Sequence, residues 1–158
     1  MATTRRKALT EVLHGQLDAD VQILQAQREL DDAVPYVVGG TDEATPIDAK
    51  TAGETTLVTV PAGKALVVTE VVLYAAVISS PSGNPSISLG GNASTYNDYS
   101  ADGARVLNAL GKYNRTLGPT GDQTAYAAAA TFKLKINTPA TGTTYKIHAD
   151  VIGYLIDV

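Results

Sequence analysis

His14 and His148 are the only imidazoles in this 158-residue chain, and there is no cysteine. Without thiols there can be no disulfide, iron–sulfur cluster or thiolate zinc site, and two histidines cannot make a histidine-rich metal centre. His148 stands between Ile147 and Ala149 in an alternating apolar stretch, on the face opposite the apolar residues. That position reads as a surface residue rather than a catalytic base, which would need a paired nucleophile. No Gly-x-Ser-x-Gly elbow, phosphate-binding loop or dinucleotide fingerprint occurs. Asp98, Asp102 and Asp122 offer carboxylates for glycoside chemistry, but aspartates in glycine-rich loops more often serve turns. The run Asn97-Asp98-Tyr99-Ser100-Ala101-Asp102-Gly103 supplies oxygen ligands without the spacing or terminal glutamate of an EF-hand loop. Tyr96, Tyr99 and Tyr113 surround this run. Aromatic faces beside Asn and Asp are the materials of a sugar-binding loop, but the favoured reading is that these tyrosines half-bury at a sandwich end or an oligomer contact. Asn92-Ala93-Ser94 and Asn114-Arg115-Thr116 match the glycosylation pattern and read as chance matches. No cofactor is expected.

The composition agrees with a binding or structural protein. Hydrophobic residues make up 44% and charged residues 18%, and the mean hydropathy is +0.01. These values fit one globular domain that buries its own core. A net charge of −4 argues against a sequence-independent grip on nucleic acid. Arg5-Arg6-Lys7 resembles the start of a secretory signal, but Glu11 and His14 interrupt the following stretch before an apolar region forms. The most apolar run, Val71 to Ile78, has the length of a strand rather than of a membrane span. The expectation is a protein made in a host cytoplasm, with neither membrane nor nucleic acid as a partner.

The elements that must position these residues fall into two unlike parts. Leu9, Val12, Leu13, Leu17, Val21 and Leu24 recur at helical spacing, so residues 1–40 are expected to form a helical arm, followed by a linker over 41–54. A stripe this narrow would be left wet in a monomer, so Leu13, Leu17, Val21 and Leu24 are the expected partner-binding residues. From Thr55 the period changes to two. Thr55–Val60, the turn Pro61-Ala62-Gly63 and a strand from Lys64 to about Ile78 are expected to form a hairpin. Ser86–Leu89 and Lys112–Leu117 read as further strands. Phe132, Leu134 and Ile136 alternate with Lys133 and Lys135, which places the apolar three in the core and the lysines toward solvent or a neighbouring subunit. Tyr145, Ile147, Ala149 and Val151 alternate up to Gly153, where a bulge should shift the inward set to Tyr154 and Ile156. The fold class is all-β: an antiparallel β-sandwich or jelly roll of about eight strands over residues 55–158, with an N-terminal helical arm.

The stretch Leu57-Val58-Thr59-Val60-Pro61-Ala62-Gly63-Lys64-Ala65-Leu66-Val67-Val68-Thr69-Glu70-Val71-Val72-Leu73 resembles the opening of small β-sandwich virion proteins of tailed bacteriophages. The ending Ala149-Asp150-Val151-Ile152-Gly153-Tyr154-Leu155 is similar to their closing strand. Capsid decoration proteins and fibre or spike modules belong to this group. The resemblance implies a structural, non-enzymatic role, often as a trimer anchored by its arm. The expected function is a capsid decoration or cement protein, a homo-oligomer with the trimer favoured, bound to the capsid exterior and so to the major capsid protein. The alternative is a receptor- or carbohydrate-binding module that uses the tyrosine loop. Because Phe132 is expected in the core, Phe132→Ala should cost about 3–5 kcal/mol in chemical denaturation. A loss below about 1 kcal/mol would take this strand out of the core.

Overall fold

The computed structural model describes residues 35–117 and 125–158. The expected arm with Leu13, Leu17, Val21 and Leu24, together with His14, Arg5-Arg6-Lys7 and Asp122, lies outside the described residues. Among the described residues there are ten strands: β1 (Tyr36–Gly40), β2 (Ile47–Asp48), β3 (Gly53–Thr59), β4 (Lys64–Ser79), β5 (Ser86–Gly90), β6 (Ser100–Ala104), β7 (Tyr113–Leu117), β8 (Ala125–Tyr126), β9 (Thr131–Thr138) and β10 (Thr144–Asp157). They form two sheets in which every pairing is antiparallel. Sheet A runs β1, β10, β4, β7, with β2 also on β10 and β8 also on β4; sheet B runs β3, β9, β5, β6. Eight of these strands, β3 to β10, fall in the expected body, and β1 and β2 add two upstream of it.

Two boundaries differ from the sequence-based expectation. Residues 36–40 form β1 along β10 instead of ending a helical arm, and the expected linker contains β2 and the start of β3. The glycines that suggested a release into a linker serve close packing. A Cβ on Gly39 would lie 2.6 Å from the Leu57 carbonyl oxygen, so a side chain there would push β1 away from β3. The expected hairpin is also corrected. The turn forms, with the Lys64 N–H donating to the Pro61 carbonyl at 3.3 Å and Gly63 at φ +70°, but β3 pairs with β9 while β4 pairs with β10. The turn carries the chain from one sheet to the other. A strand–turn–strand sequence fixes a reversal of direction without saying whether the two strands pair.

One core collects the inward faces of both sheets. Leu66, Val71, Leu73, Ile147 and Val151 come from sheet A, and Ile87, Leu89, Phe132 and Leu134 from sheet B. Phe132 is enclosed by edge-on contacts with Tyr99 and Tyr126, with ring centroids 5.4 and 5.3 Å away. The alternation expected for β9 is present, with Phe132, Leu134 and Ile136 all buried.

The bulge expected at Gly153 exists, but the extra residue belongs to the facing strand. Ile152 pairs with Glu70 and Gly153 with Val68, which leaves Thr69 unmatched; further along, Lys146 pairs with Val77 and Ile147 with Ala75, which leaves Ala76 unmatched. The parity therefore changes on β4, where buried Leu66 and Val68 give way to Val71, Leu73 and Ala75. On β10 it does not change. Leu155, rather than Ile156, continues the inward row and packs on the core. The Thr69 hydroxyl donates to the Ile152 carbonyl at 3.1 Å, recovering a bond for the interrupted ladder. Gly153 is required by the close approach at this point: a Cβ there would lie 2.1 Å from the Val67 carbonyl oxygen. Gly153→Ala should therefore destabilise the fold by about 1–3 kcal/mol. Gly53→Ala, where a Cβ meets nothing within 4 Å, should stay within about 0.5 kcal/mol of the parent in urea denaturation.

Candidate functional site

The tyrosine loop follows β5 and folds over the outer side of sheet B. Asp98 Oδ1 accepts from the Gly91 N–H at 2.7 Å, and Asn92 Oδ1 accepts from the Asn97 N–H at 2.7 Å. The Asn92 side-chain amide donates to Thr95 Oγ1 and Asn97 Oδ1, so the loop is tied to itself through one asparagine. Two lysines hold it to the sheet. Lys133 Nζ donates to the Tyr96 hydroxyl at 3.1 Å and to Glu54 at 3.3 Å and lies 4.8 Å from the Tyr96 ring centroid, and Lys135 Nζ donates to the Ser94 carbonyl at 2.5 Å. These lysines do point away from the core, as alternation requires, but toward a loop of their own chain rather than toward open solvent.

The structure does not bring the three tyrosines to one face. Tyr96 is buried against sheet B, and Tyr99 is in the core with its hydroxyl donating to the Thr116 carbonyl at 2.9 Å. Burial pushes the phenols of Tyr99 and Tyr126 above the ordinary tyrosine range. Only Tyr113 is open, 65% exposed on β7 of the other sheet. Asp98 is occupied in closing the loop. Asp102 accepts from the Ser86 hydroxyl and, at 3.0 Å, from the Asn137 amide, and the Ser86 bond chiefly lowers its pKa. The two carboxylates thus serve the local structure of sheet B. Among the described residues no three His, Cys, Asp or Glu side chains gather to hold a metal ion.

His148 departs from its expected surface position, being 7% exposed. It lies on the outer side of sheet A but is covered. Its Nδ1 is 3.2 Å from Thr41 Oγ1, and its ring packs on Tyr74 at 5.1 Å. Thr41 Oγ1 also accepts the Ala149 N–H at 3.0 Å, so the loop after β1 is clamped onto β10. Alternation could place His148 opposite the core, but not foresee that residues 41–46 would roof it. Beside it, Glu43, Pro46, Tyr74 and Val77 border a shallow groove. On the same side Glu70 is bound by both nitrogens of one guanidinium edge of Arg115, with Nη2 to Oε2 at 2.7 Å. The Arg115 bond is the main cause holding the Glu70 carboxyl below its ordinary pKa, against desolvation that would raise it.

Among the described residues, the large exposed apolar side chains lie on strands of sheet A, in the connection between β6 and β7, and at Val158. Tyr36 and Val37 are exposed on β1, Val77 on β4, Tyr113 on β7 and Ile156 on β10; Val106 and Leu110 are exposed in the connection into β7, and Val158 lies just beyond β10. Among the described residues, no strand of sheet B carries a large exposed apolar side chain. Sequence reasoning missed this surface because nothing marks Val106 and Leu110 as exposed while Leu107 between them is fully buried.

These features define a class: an antiparallel two-sheet protein with the outer side of one sheet covered by its own loop. No protein-family model and no curated protein matches the sequence. Among solved structures the fold is shared with a chain in the acidic stable capsid structure of Helicobacter pylori bacteriophage KHP30, at a TM-score of 0.50 and 19% identity over 79% of this chain and 93% of that one. A chain of the cyanophage Pam1 capsid asymmetric unit aligns at a TM-score of 0.45 and 17% identity, covering 78% of this chain and 84% of that one.

The Glu70–Arg115 pair gives a pH test. A carboxyl whose pKa is lowered by folding contributes stability above its unfolded pKa, and that contribution is lost as pH falls through the folded pKa. Arg115→Met should therefore be less stable than the parent at pH 7, and the gap should shrink as pH falls from the ordinary glutamate range through the lowered pKa of Glu70 in the folded parent. Urea midpoints across pH 3–7 measure this. A gap that is independent of pH would show that Arg115 acts through packing and not through the Glu70 charge.

Proposed function

We propose that this chain is a non-enzymatic structural protein of a tailed-phage virion: a capsid decoration or cement protein that binds the capsid exterior as an oligomer, with a trimer favoured. The observation that carries the reading is the fold shared with a chain of the KHP30 capsid over 93% of that chain's length. The strand order supports it. With β1 and β2 counted as one position, and β7 and β8 as another, the chain fills eight positions and crosses repeatedly between the sheets, which supports the jelly-roll reading. The open apolar side chains of sheet A supply the protein contacts that such a role needs.

In this reading the major capsid protein is the partner, and Leu13, Leu17, Val21 and Leu24 of the N-terminal segment contribute an apolar stripe to the contact. The receptor- or carbohydrate-binding alternative would rest on Tyr113, because Tyr96 and Tyr99 are buried. Quantitative mass spectrometry of purified particles is the test. Hundreds of copies per particle are expected for a decoration protein, whereas a few copies would move the chain to a tail or fibre. Its absence from particles would overturn the virion role.

A further inference from the structure

Asp102-Gly103 is the only Asp-Gly pair in the chain, and no Asn-Gly pair occurs. An aspartate before glycine is the aspartate most open to attack by the next backbone nitrogen, because glycine has no side chain to shield its amide. The structure places this pair at the edge of sheet B, where β6 pairs only with β5 among the described residues. Gly103 faces Ile87 and Ser100 faces Leu89, so Ala101 and Asp102 together stand opposite Ser88 alone and form a bulge on β6. Asp102 is exposed, and beyond its chain neighbours a Cβ on Gly103 would meet only the Ala101 carbonyl oxygen, at 4.0 Å.

Two side chains hold the carboxylate in place. Asp102 Oδ1 accepts from the Ser86 hydroxyl and, at 3.0 Å, from the Asn137 amide, which also donates to Ser88 Oγ at 3.0 Å. The Ser86 bond chiefly, with those from Asn137 and the Gly103 N–H, keeps the carboxyl below the ordinary aspartate range. An ionised carboxylate resists a nitrogen nucleophile; ring closure needs the neutral acid.

We propose that Asp102-Gly103 is a latent modification site, converting to isoaspartate through a succinimide, and that Ser86 and Asn137 restrain it in the folded chain. Gly103 N attacks Cγ of the neutral Asp102 acid. The N–Cγ bond forms, the Cγ–OH bond breaks, and the hydroxyl and the amide hydrogen leave as water. Water then adds to one ring carbonyl and breaks its bond to nitrogen. Opening at Cγ restores aspartate, whereas opening at the α-carbonyl leaves the main chain running through Cγ, longer by one methylene. β6 then loses its register with β5 at the bulge. The site does not depend on the virion role.

The test is prolonged incubation of the full-length chain at mildly acidic pH, read by peptide mapping with electron-based fragmentation, which separates isoaspartate from aspartate. In guanidinium, position 102 should convert faster than any other aspartate, and Gly103→Ala should slow it. The folded parent should convert more slowly, and Ser86→Ala and Asn137→Ala should each raise its rate by roughly fivefold or more, as the loss of one hydrogen bond to a charged group permits. In guanidinium these two variants should match the parent, because the restraint is gone. Gly153→Ala, which is destabilised in sheet A, separates local restraint from general unfolding, since its folded chain should convert at the parent's rate. Position 102 converting no faster than other aspartates in guanidinium would overturn the site. A folded parent as fast as the denatured one, Ser86 and Asn137 variants at the parent's rate, or Gly153→Ala as fast as those variants would overturn the restraint.

Discussion

Everything in sheet A is arranged around the place where β10 crosses Thr69 of β4. A strand of sixteen residues with strict alternation would present one fixed row to the core along its whole length. The unmatched Thr69 breaks that row, so that Leu66 and Val68 point inward before it and Val71, Leu73 and Ala75 after it. β4 can therefore bend with the core while β10 keeps a constant inward row. The bend brings the Val67 carbonyl so close to position 153 that a hydrogen is the only substituent that fits. The two β7-side pieces follow from it: β8 pairs with Leu66 and Val67 before the bulge, and β7 with Glu70 to Tyr74 after it.

The two outer faces differ in how they meet water. Sheet B carries Lys133 and Lys135 at its centre, and the chain spends a loop of its own on them, with Tyr96 and the Ser94 carbonyl receiving the ammonium groups. Ser88 beneath this loop is buried yet bonded to the Thr95 carbonyl, so closing the lid strands no polar group there. Among the described residues, sheet A has the short roof of residues 41–46 over His148, and its strands carry the exposed side chains of Tyr36, Val37, Val77, Tyr113 and Ile156. The Glu70–Arg115 pair stands on the outer side of sheet A, where it neutralises a carboxylate that is 11% exposed.

The strands with clean alternation were legible from sequence. Phe132, Leu134 and Ile136 fall where their period of two puts them, as do Tyr145, Ile147, Ala149 and Val151. Pairing was not legible. Thr55–Val60 and the strand after Gly63 look like a hairpin because a turn sequence reports a local reversal, whereas their sheet partners lie far along the chain at β9 and β10. Gly153 signalled an irregularity correctly, but a glycine shows that backbones approach closely without showing which of them carries the extra residue. The tyrosines near residues 96–113 looked like one cluster in sequence. They separate in space because β6 and the connection after it carry the chain from sheet B to sheet A. Exposed Leu110 and buried Leu107 have the same chemistry, so only tertiary packing tells them apart.

The central claim is that the β4–β10 ladder is the structural spine and that the edges of sheet A are its open parts. Residue-resolved amide hydrogen exchange on the full-length chain addresses this directly. The slowest amides should be those of Val71, Leu73, Ala149 and Val151, opening only with global unfolding, while amides on the outer sides of β1 and β7 exchange far faster under conditions that keep the chain dispersed. Exchange at Val71 and Val151 as fast as at the edges, with the slowest amides elsewhere, would contradict the account.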